Sequence, residues 1–277
     1  MWILDKPSLG RAKGKDVREL IANCDELDNT IKQPLKELYQ QYDDQQGRVS
    51  DIQLSAISDV NAKAIHSMYK NTYENKPLAY IRDELTAHVY KCPYCSIAQP
   101  NTLDHYMPES KYKALAVCRM NLVPMCSVCN NYKHTKPYES FIHCYYEMLP
   151  TTKPFLVAKV HSEKQRFVVL LDFDSTVIGD AALEMKLRYQ EREIRLFKRI
   201  QKECVVFINT LCRGCEVSDT SALKLWLRRR LADYESDYGQ NDWRCAVIRG
   251  MIAFAGLDIS QIQYNRMNPR RVNAGGA

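Results

Sequence analysis

Three stretches of the chain decide its reading: Cys92-Pro93-Tyr94-Cys95, Leu103-Asp104-His105-Tyr106-Met107-Pro108, and Asn121-Leu122-Val123-Pro124-Met125-Cys126-Ser127-Val128-Cys129-Asn130-Asn131-Tyr132-Lys133-His134. The first and last each hold a Cys-x-x-Cys pair. Two such pairs a few tens of residues apart can converge on one tetrahedral Zn²⁺, each supplying a knuckle whose two sulfurs point the same way. With Cys92, Cys95, Cys126 and Cys129 filling every position, the zinc is structural and closed to water. It staples a module too small to hold itself together by apolar burial. Between the knuckles stands Asp104-His105. An imidazole near its ordinary pKa suits a general base at neutral pH. A neighbouring carboxylate is a hard oxygen ligand suited to Mg²⁺ or Mn²⁺. Asp104 has no place on the zinc if four thiolates already surround it.

Working outward, residues 15 to 88 read as helical. Val17, Leu20, Ile21 and Cys24, then Leu35, Leu38 and Tyr39, recur at helical spacing. Gly47 interrupts, Asp51 caps the next stretch, and Pro77 sits where a first helical turn can begin. Tyr138 to Met148 is a further helix candidate. Phe155 to Val160 and Arg166 to Asp172, joined by a polar turn, read as a β-hairpin. Leu183 to Leu211 has spacings of three, four and seven and predicts one long amphipathic helix. Ser218 or Asp219 caps a helix from Ser221 to about Tyr238, and another runs from about Asp242 to Phe254. The predicted organisation is a helical region over 1–88, a motif-bearing module over 89–150, and a hairpin with helices over 151–277. The fold class is therefore mainly α, with a small zinc-stapled module and a β-hairpin.

Composition limits the function classes. The 277 residues carry 39 basic and 33 acidic side chains, a net charge of +6, which permits nucleic-acid binding without requiring it. No apolar run approaches the roughly 20 residues that span a bilayer, so no membrane role is expected. No signal peptide is read at the N-terminus, and the expected location is cytoplasmic. In such a compartment the eleven cysteines stay reduced, so paired cysteines point to metal rather than disulfides.

The order Cys-x-x-Cys, Asp-His, Asn-Leu, Cys-x-x-Cys-Asn-x-x-Lys resembles the HNH (ββα-metal) endonucleases, over under a fifth of the chain. That resemblance implies a β-hairpin and a short helix gripping one catalytic divalent ion. It implies Asp104 as a metal ligand ending the first strand and His105 as the base that activates water. It gives Asn121, on the second strand, the task of holding the loop and orienting His105. Asn130, opening the helix, becomes the second metal ligand; many relatives have His there, and Asn131 and His134 are neighbouring candidates. Lys133 is expected either to touch a flanking phosphate or to be a plain surface lysine. The run from Asp104 to Lys111, with Asn121-Leu-Val-Pro, is also similar to the HNH subunit of Septu-type anti-phage systems. This implies cleavage of DNA beside an ABC/SMC-like ATPase, in some systems with a retron reverse transcriptase and its nucleic acid. RNA is an alternative substrate, because the metal chemistry acts on phosphate. A non-catalytic zinc-stapled binding module is another alternative.

Three further features compete. Phe167 to Thr176 carries Asp172-x-Asp174-x-Thr176 after an apolar strand, as in haloacid-dehalogenase phosphatases. That fold needs several βα units after the strand, and the chain beyond Gly179 is almost wholly helical in pattern. Cys212-Arg213-Gly214-Cys215 has no second pair to join and reads as a reduced pair at a helix end. Lys224, Arg228, Arg229 and Arg230, and separately Arg266, Arg270 and Arg271, are basic faces that either follow a phosphate backbone or are simply solvated.

Overall fold

A computed structural model of the chain describes residues 3–7 and 12–269, with the side chains of 12 and 13 excepted. The basic pair Arg270 and Arg271 and the terminal tail lie outside the described residues. The chain divides into two compact units, one being Ile3–Met148 and the other beginning at Leu149.

The first unit builds a helical cradle around the cysteine module. Helices α1 (Ala12–Ala22) and α2 (Lys32–Asp44) pack on each other. Val17, Leu20, Leu35, Leu38 and Tyr42 are buried at the spacing that puts them on one face of each helix. After α2 the chain turns at Gly47, with φ +85; a side chain there would meet the His143 ring at 2.5 Å, so both the backbone conformation and the close approach require glycine. The next helix, α3 (Asp51–Ser55), starts from Ser50 and not from Asp51. The Ser50 hydroxyl accepts from the Gln53 amide while the Gln53 side chain returns to Ser50, a reciprocal cap. Ser58 likewise caps α4 (Asp59–Ser67), and α5 spans Ala79–Thr86. Two four-residue strands, β1 (Thr102–His105) and β2 (Leu122–Met125), pair antiparallel with Asp104 opposite Val123, and α6 (Ser127–Lys133) comes next. The stretch from Tyr138 to Met148 is not a helix. Only a single 3₁₀ turn forms at Tyr138–Ser140, and Phe141 to Tyr146 run on irregularly with every side chain buried.

The second unit is a hairpin covered by helices. β3 (Leu156–Glu163) pairs with β4 (Arg166–Phe173). Lys164 and Gln165 both take positive φ, the turn that matches the right-handed twist of a two-residue hairpin. Asp174 caps the short α7 (Ser175–Ile178). The expected long helix is two, α8 (Ala181–Glu193) and α9 (Leu196–Arg213). The chain breaks at Arg195, whose φ of 52° and ψ of 44° lie in the left-handed region. Periodicity does not see this break because Leu187, Ile194 and Leu196 are buried on both sides of it. Helices α10 (Thr220–Tyr238), α11 (Trp243–Ala253) and α12 (Ile259–Met267) complete the unit, capped by Asp219, Asp242 and Asp258. α11 lies directly against β3: a side chain at Gly250 would meet the Ala158 carbonyl at 2.5 Å. No parallel sheet forms around β4 among the described residues, so the phosphatase-like Asp172 and Asp174 have no such fold around them. Asp172 instead pairs with Arg188 at 3.1 Å on the surface.

Candidate metal centre and catalytic cleft

The first knuckle is a tight turn. The Cys95 and Ser96 amides both donate to the Cys92 carbonyl, and Ser96 takes φ +56 to complete it. The second knuckle is the start of α6, where the Cys126 sulfur is the N-cap and accepts from the Cys129 amide. The four sulfurs of Cys92, Cys95, Cys126 and Cys129 lie within 4.8 Å of one another and all four residues are buried. Four thiols crowded in a dry pocket favour ionisation of whichever accepts most hydrogen bonds. Here Cys126 is pushed well down by Cys129, then Cys92 and Cys95. The donor set fits one structural Zn²⁺. Cys212 and Cys215, buried at the end of α9, join no cluster of metal-ligand type among the described residues.

The hairpin these knuckles clamp carries Asp104 and His105 into one cleft of about 370 Å³, also lined by Tyr69, Arg82, Glu109, Asn130 and His134. His105 is held on three sides. Its Nε2 lies 2.9 Å from the Ala116 carbonyl. A carbonyl only accepts, so Nε2 carries the hydrogen and Nδ1 keeps a free lone pair. The Tyr69 ring lies at 4.4 Å between centroids, and the Tyr69 hydroxyl donates to the Leu103 carbonyl. The free Nδ1 faces Glu109 Oε2 at 3.5 Å. His105 does not keep the ordinary pKa expected of it: burial pushes it down to about 4, so the ring is neutral at physiological pH.

Asp104 is 7% exposed, and burial raises its pKa. Its Oδ2 stands 2.8 Å from Lys133 Nζ, off the hydrogen-bonding direction, so the oxygen is charge-paired but accepts no directed bond. Asn130 donates its Nδ2 to Thr102 Oγ1 at 3.2 Å, leaving Oδ1 open. A buried carboxylate oxygen short of donors and an amide oxygen on the wall of one cleft are hard ligands, and they fit a divalent cation. Of the neighbouring candidates, His134 also lines the cleft whereas Asn131 does not.

Lys133 departs from expectation. It is neither on the surface nor free to meet a phosphate: it is 1% exposed, with Nζ 2.7 Å from the His105 carbonyl and 2.8 Å from Asp104. α6 thus reaches back under the hairpin and neutralises the site from below.

Asn121 lies in a 3₁₀ turn (Arg119–Asn121) just before β2, not on the strand. Its side chain is fully bonded. Oδ1 accepts from the Met107 amide at 2.7 Å and the Tyr42 hydroxyl at 3.0 Å; Nδ2 donates to the Met107 and Leu115 carbonyls at 3.1 and 3.3 Å. It fastens both ends of the loop whose next residue, Ala116, holds His105. Tyr42 in turn lies 3.2 Å from His143 Nε2. Arg119, in the same turn, is 3% exposed and bonds Asp16 of α1 and Glu84 of α5. Arg228 and Arg229 are exposed on α10, in the other unit. Sequence reading missed Tyr42, Tyr69, Arg82, Glu109 and Arg119. Glu109 stands within the run from Asp104 to Lys111, but the others carry no chemical signature: a tyrosine or arginine at core spacing looks the same whether or not it serves a site.

Residues 92–136 match the family model described as HNH endonuclease. No curated protein and no solved structure matches the chain.

Proposed function

We propose that this chain is a metal-dependent HNH endonuclease that hydrolyses phosphodiester bonds, with DNA as substrate. The observation that carries the reading is the His105 ring: Nε2 is tied to a backbone carbonyl, and the unprotonated Nδ1 opens onto a cleft that also holds Asp104 and Asn130. Asp104 Oδ2 and Asn130 Oδ1 would hold Mg²⁺ or Mn²⁺, which when bound supplies positive charge to the scissile phosphate. His105 Nδ1 takes a proton from water as the water oxygen bonds to phosphorus. The bond from phosphorus to the 3′ oxygen then breaks, and that oxygen leaves with the electron pair and picks up a proton from solvent. The Ala116 carbonyl stabilises the imidazolium that forms, as an acceptor on the opposite nitrogen. Arg82, on the wall of the same cleft, donates Nε to the Thr72 carbonyl at 3.2 Å and would turn its remaining N–H groups to a phosphate.

The likeness to the Septu-type HNH subunit supports a place as effector of an anti-phage complex in the cytoplasm. The partner is then an ABC/SMC-like ATPase, in some systems with a retron reverse transcriptase and its nucleic acid. A direct test incubates the zinc-loaded chain with plasmid DNA and with RNA, with Mg²⁺ or with chelator. Cleavage is expected with the metal, falling about 10²–10⁴-fold in His105→Ala. A module that only binds would cleave in neither form.

A further inference from the structure

The catalytic cleft is poorly equipped to attract a polyanion. Among its lining residues Asp104 and Glu109 are acidic, and Arg82 is the one Lys or Arg. Phosphate-backbone affinity needs several unpaired cations, because each neutralised phosphate contributes to binding by releasing counterions. The first unit gathers four cations elsewhere, and three of them, Lys15, Lys32 and Lys36, have no acidic partner among the described residues. A cleft of about 510 Å³ between α1 and α2 is lined by Gly14, Lys15, Arg18, Lys32 and Lys36. Lys15 and Arg18 are three apart on α1, Lys32 and Lys36 four apart on α2, so each pair shares one helix face. Lys32 and Lys36 are half-buried with no acidic partner among the described residues, and no carboxylate lines the cleft. Of the nearby acids, Glu37 accepts from Gln33 at 2.7 Å, and Glu19 pairs only with Arg18, at 3.2 Å on the surface, which leaves the three lysines without a carboxylate. Cations gathered in one concavity repel one another, and a polyanion relieves that repulsion.

The two clefts adjoin the same helix. Lys15 Nζ sits 3.7 Å from the centre of the Tyr80 ring, and two residues further along α5 Arg82 lines the catalytic cleft. Positions two apart on a helix face different sides, so the two clefts flank α5.

We infer that the α1–α2 cleft is the nucleic-acid anchor of this protein, gripping the sugar-phosphate backbone across α5 from the bond that is cut. The inference deepens the nuclease reading and rests on it for the identity of the ligand, but its test does not need cleavage. Binding of a fluorescein-labelled 20-nucleotide single strand and of the matching DNA duplex is measured by anisotropy across a salt series, with the full zinc-loaded chain. The double variant K32Q/K36Q is expected to bind about tenfold more weakly near 0.1 M salt, with the slope of log K against log salt reduced by about two. K32R/K36R retains wild-type binding, and H105A binds like wild type while losing cleavage. If K32Q/K36Q cleaves, its loss falls on KM and not on kcat. Should K32Q/K36Q fail to fold, K15Q/R18Q on the exposed face of α1 replaces it, with the same expected loss. Unchanged affinity and salt slope in the folded Gln variant would overturn the anchor, as would a loss that the Arg variant shares. Tight, salt-sensitive binding with no cleavage by any form would leave the anchor standing and remove the nuclease reading.

Discussion

At the scale of single residues, the site is made by satisfying or withholding hydrogen bonds. Asn121 uses its whole bonding capacity on two backbone segments and one tyrosine, which makes a rigid loop from residues with no regular structure. His105 is treated oppositely: Nε2 is tied to a carbonyl, while Nδ1 accepts no hydrogen bond among the described residues and faces the cleft with Glu109 at 3.5 Å. Burial disfavours the charged imidazolium, so the folded ring takes up a proton only near pH 4, against 6.5 for the ordinary side chain. Between those values the unfolded chain binds a proton that the folded chain does not. His105 therefore weakens the fold as pH falls through that window and remains a free base above it. The His105 imidazole resonances in the zinc-loaded protein are expected to stay in the neutral form down to about pH 4. A midpoint near 6.5 would mean a solvated ring and no buried base. That Asp104 and His105 stand together in one cleft was legible from the motif alone. The burial of Lys133 was not, because a lysine after Asn-Asn-Tyr looks the same in sequence whether its ammonium meets solvent or a buried carboxylate.

At the scale of elements, β1, β2 and α6 together are too short to hold a core of their own. Two four-residue strands and a seven-residue helix fall well below the size at which apolar burial suffices. Their order comes from two sources. One is the four-sulfur cluster; the other is the buried Arg119, which ties the turn before β2 to α1 and α5. The cysteine spacing announced the first. The second was hidden, since Asp16, Glu84 and Arg119 are far apart in sequence and each alone reads as surface charge. The same limit explains the helices. Caps at Asp219 and Asp242 were readable because a short acceptor precedes an apolar run. The break at Arg195 was not, because a left-handed arginine has no signature when both flanks keep helical periodicity. Nor was the non-helical path from Phe141 to Tyr146, where aromatic packing on all sides replaces one face. Cys129→Ser removes one of the four sulfurs. It is expected to abolish stoichiometric zinc binding and to strip hydrogen-exchange protection from β1, β2 and α6. Full protection of those amides in the variant would show that the module holds without its staple.

At the scale of the whole molecule, the chain concentrates its chemistry in the unit Ile3–Met148. That unit contains the four-cysteine cluster, the cleft lined by Asp104, His105 and Asn130, and the basic cleft between α1 and α2. The mainly helical character, the hairpin and the place of the module were all legible, because each rests on local pattern. What sequence could not supply was the contribution of the helical flanks to the site, where Tyr69 and Arg82 line the cleft and Tyr42 braces Asn121. Those contacts depend on long-range packing. The nuclease reading stands on one small scaffold holding two metals of different chemistry, a soft sulfur site that supports and a hard oxygen site beside His105 that reacts. Anomalous diffraction from crystals grown with zinc and soaked in Mn²⁺ distinguishes the two sites. A zinc-edge peak is expected among Cys92, Cys95, Cys126 and Cys129, with a separate manganese peak between Asp104 and Asn130. Manganese bound elsewhere, or a sulfur cluster that takes no zinc, would refute the two-metal scaffold.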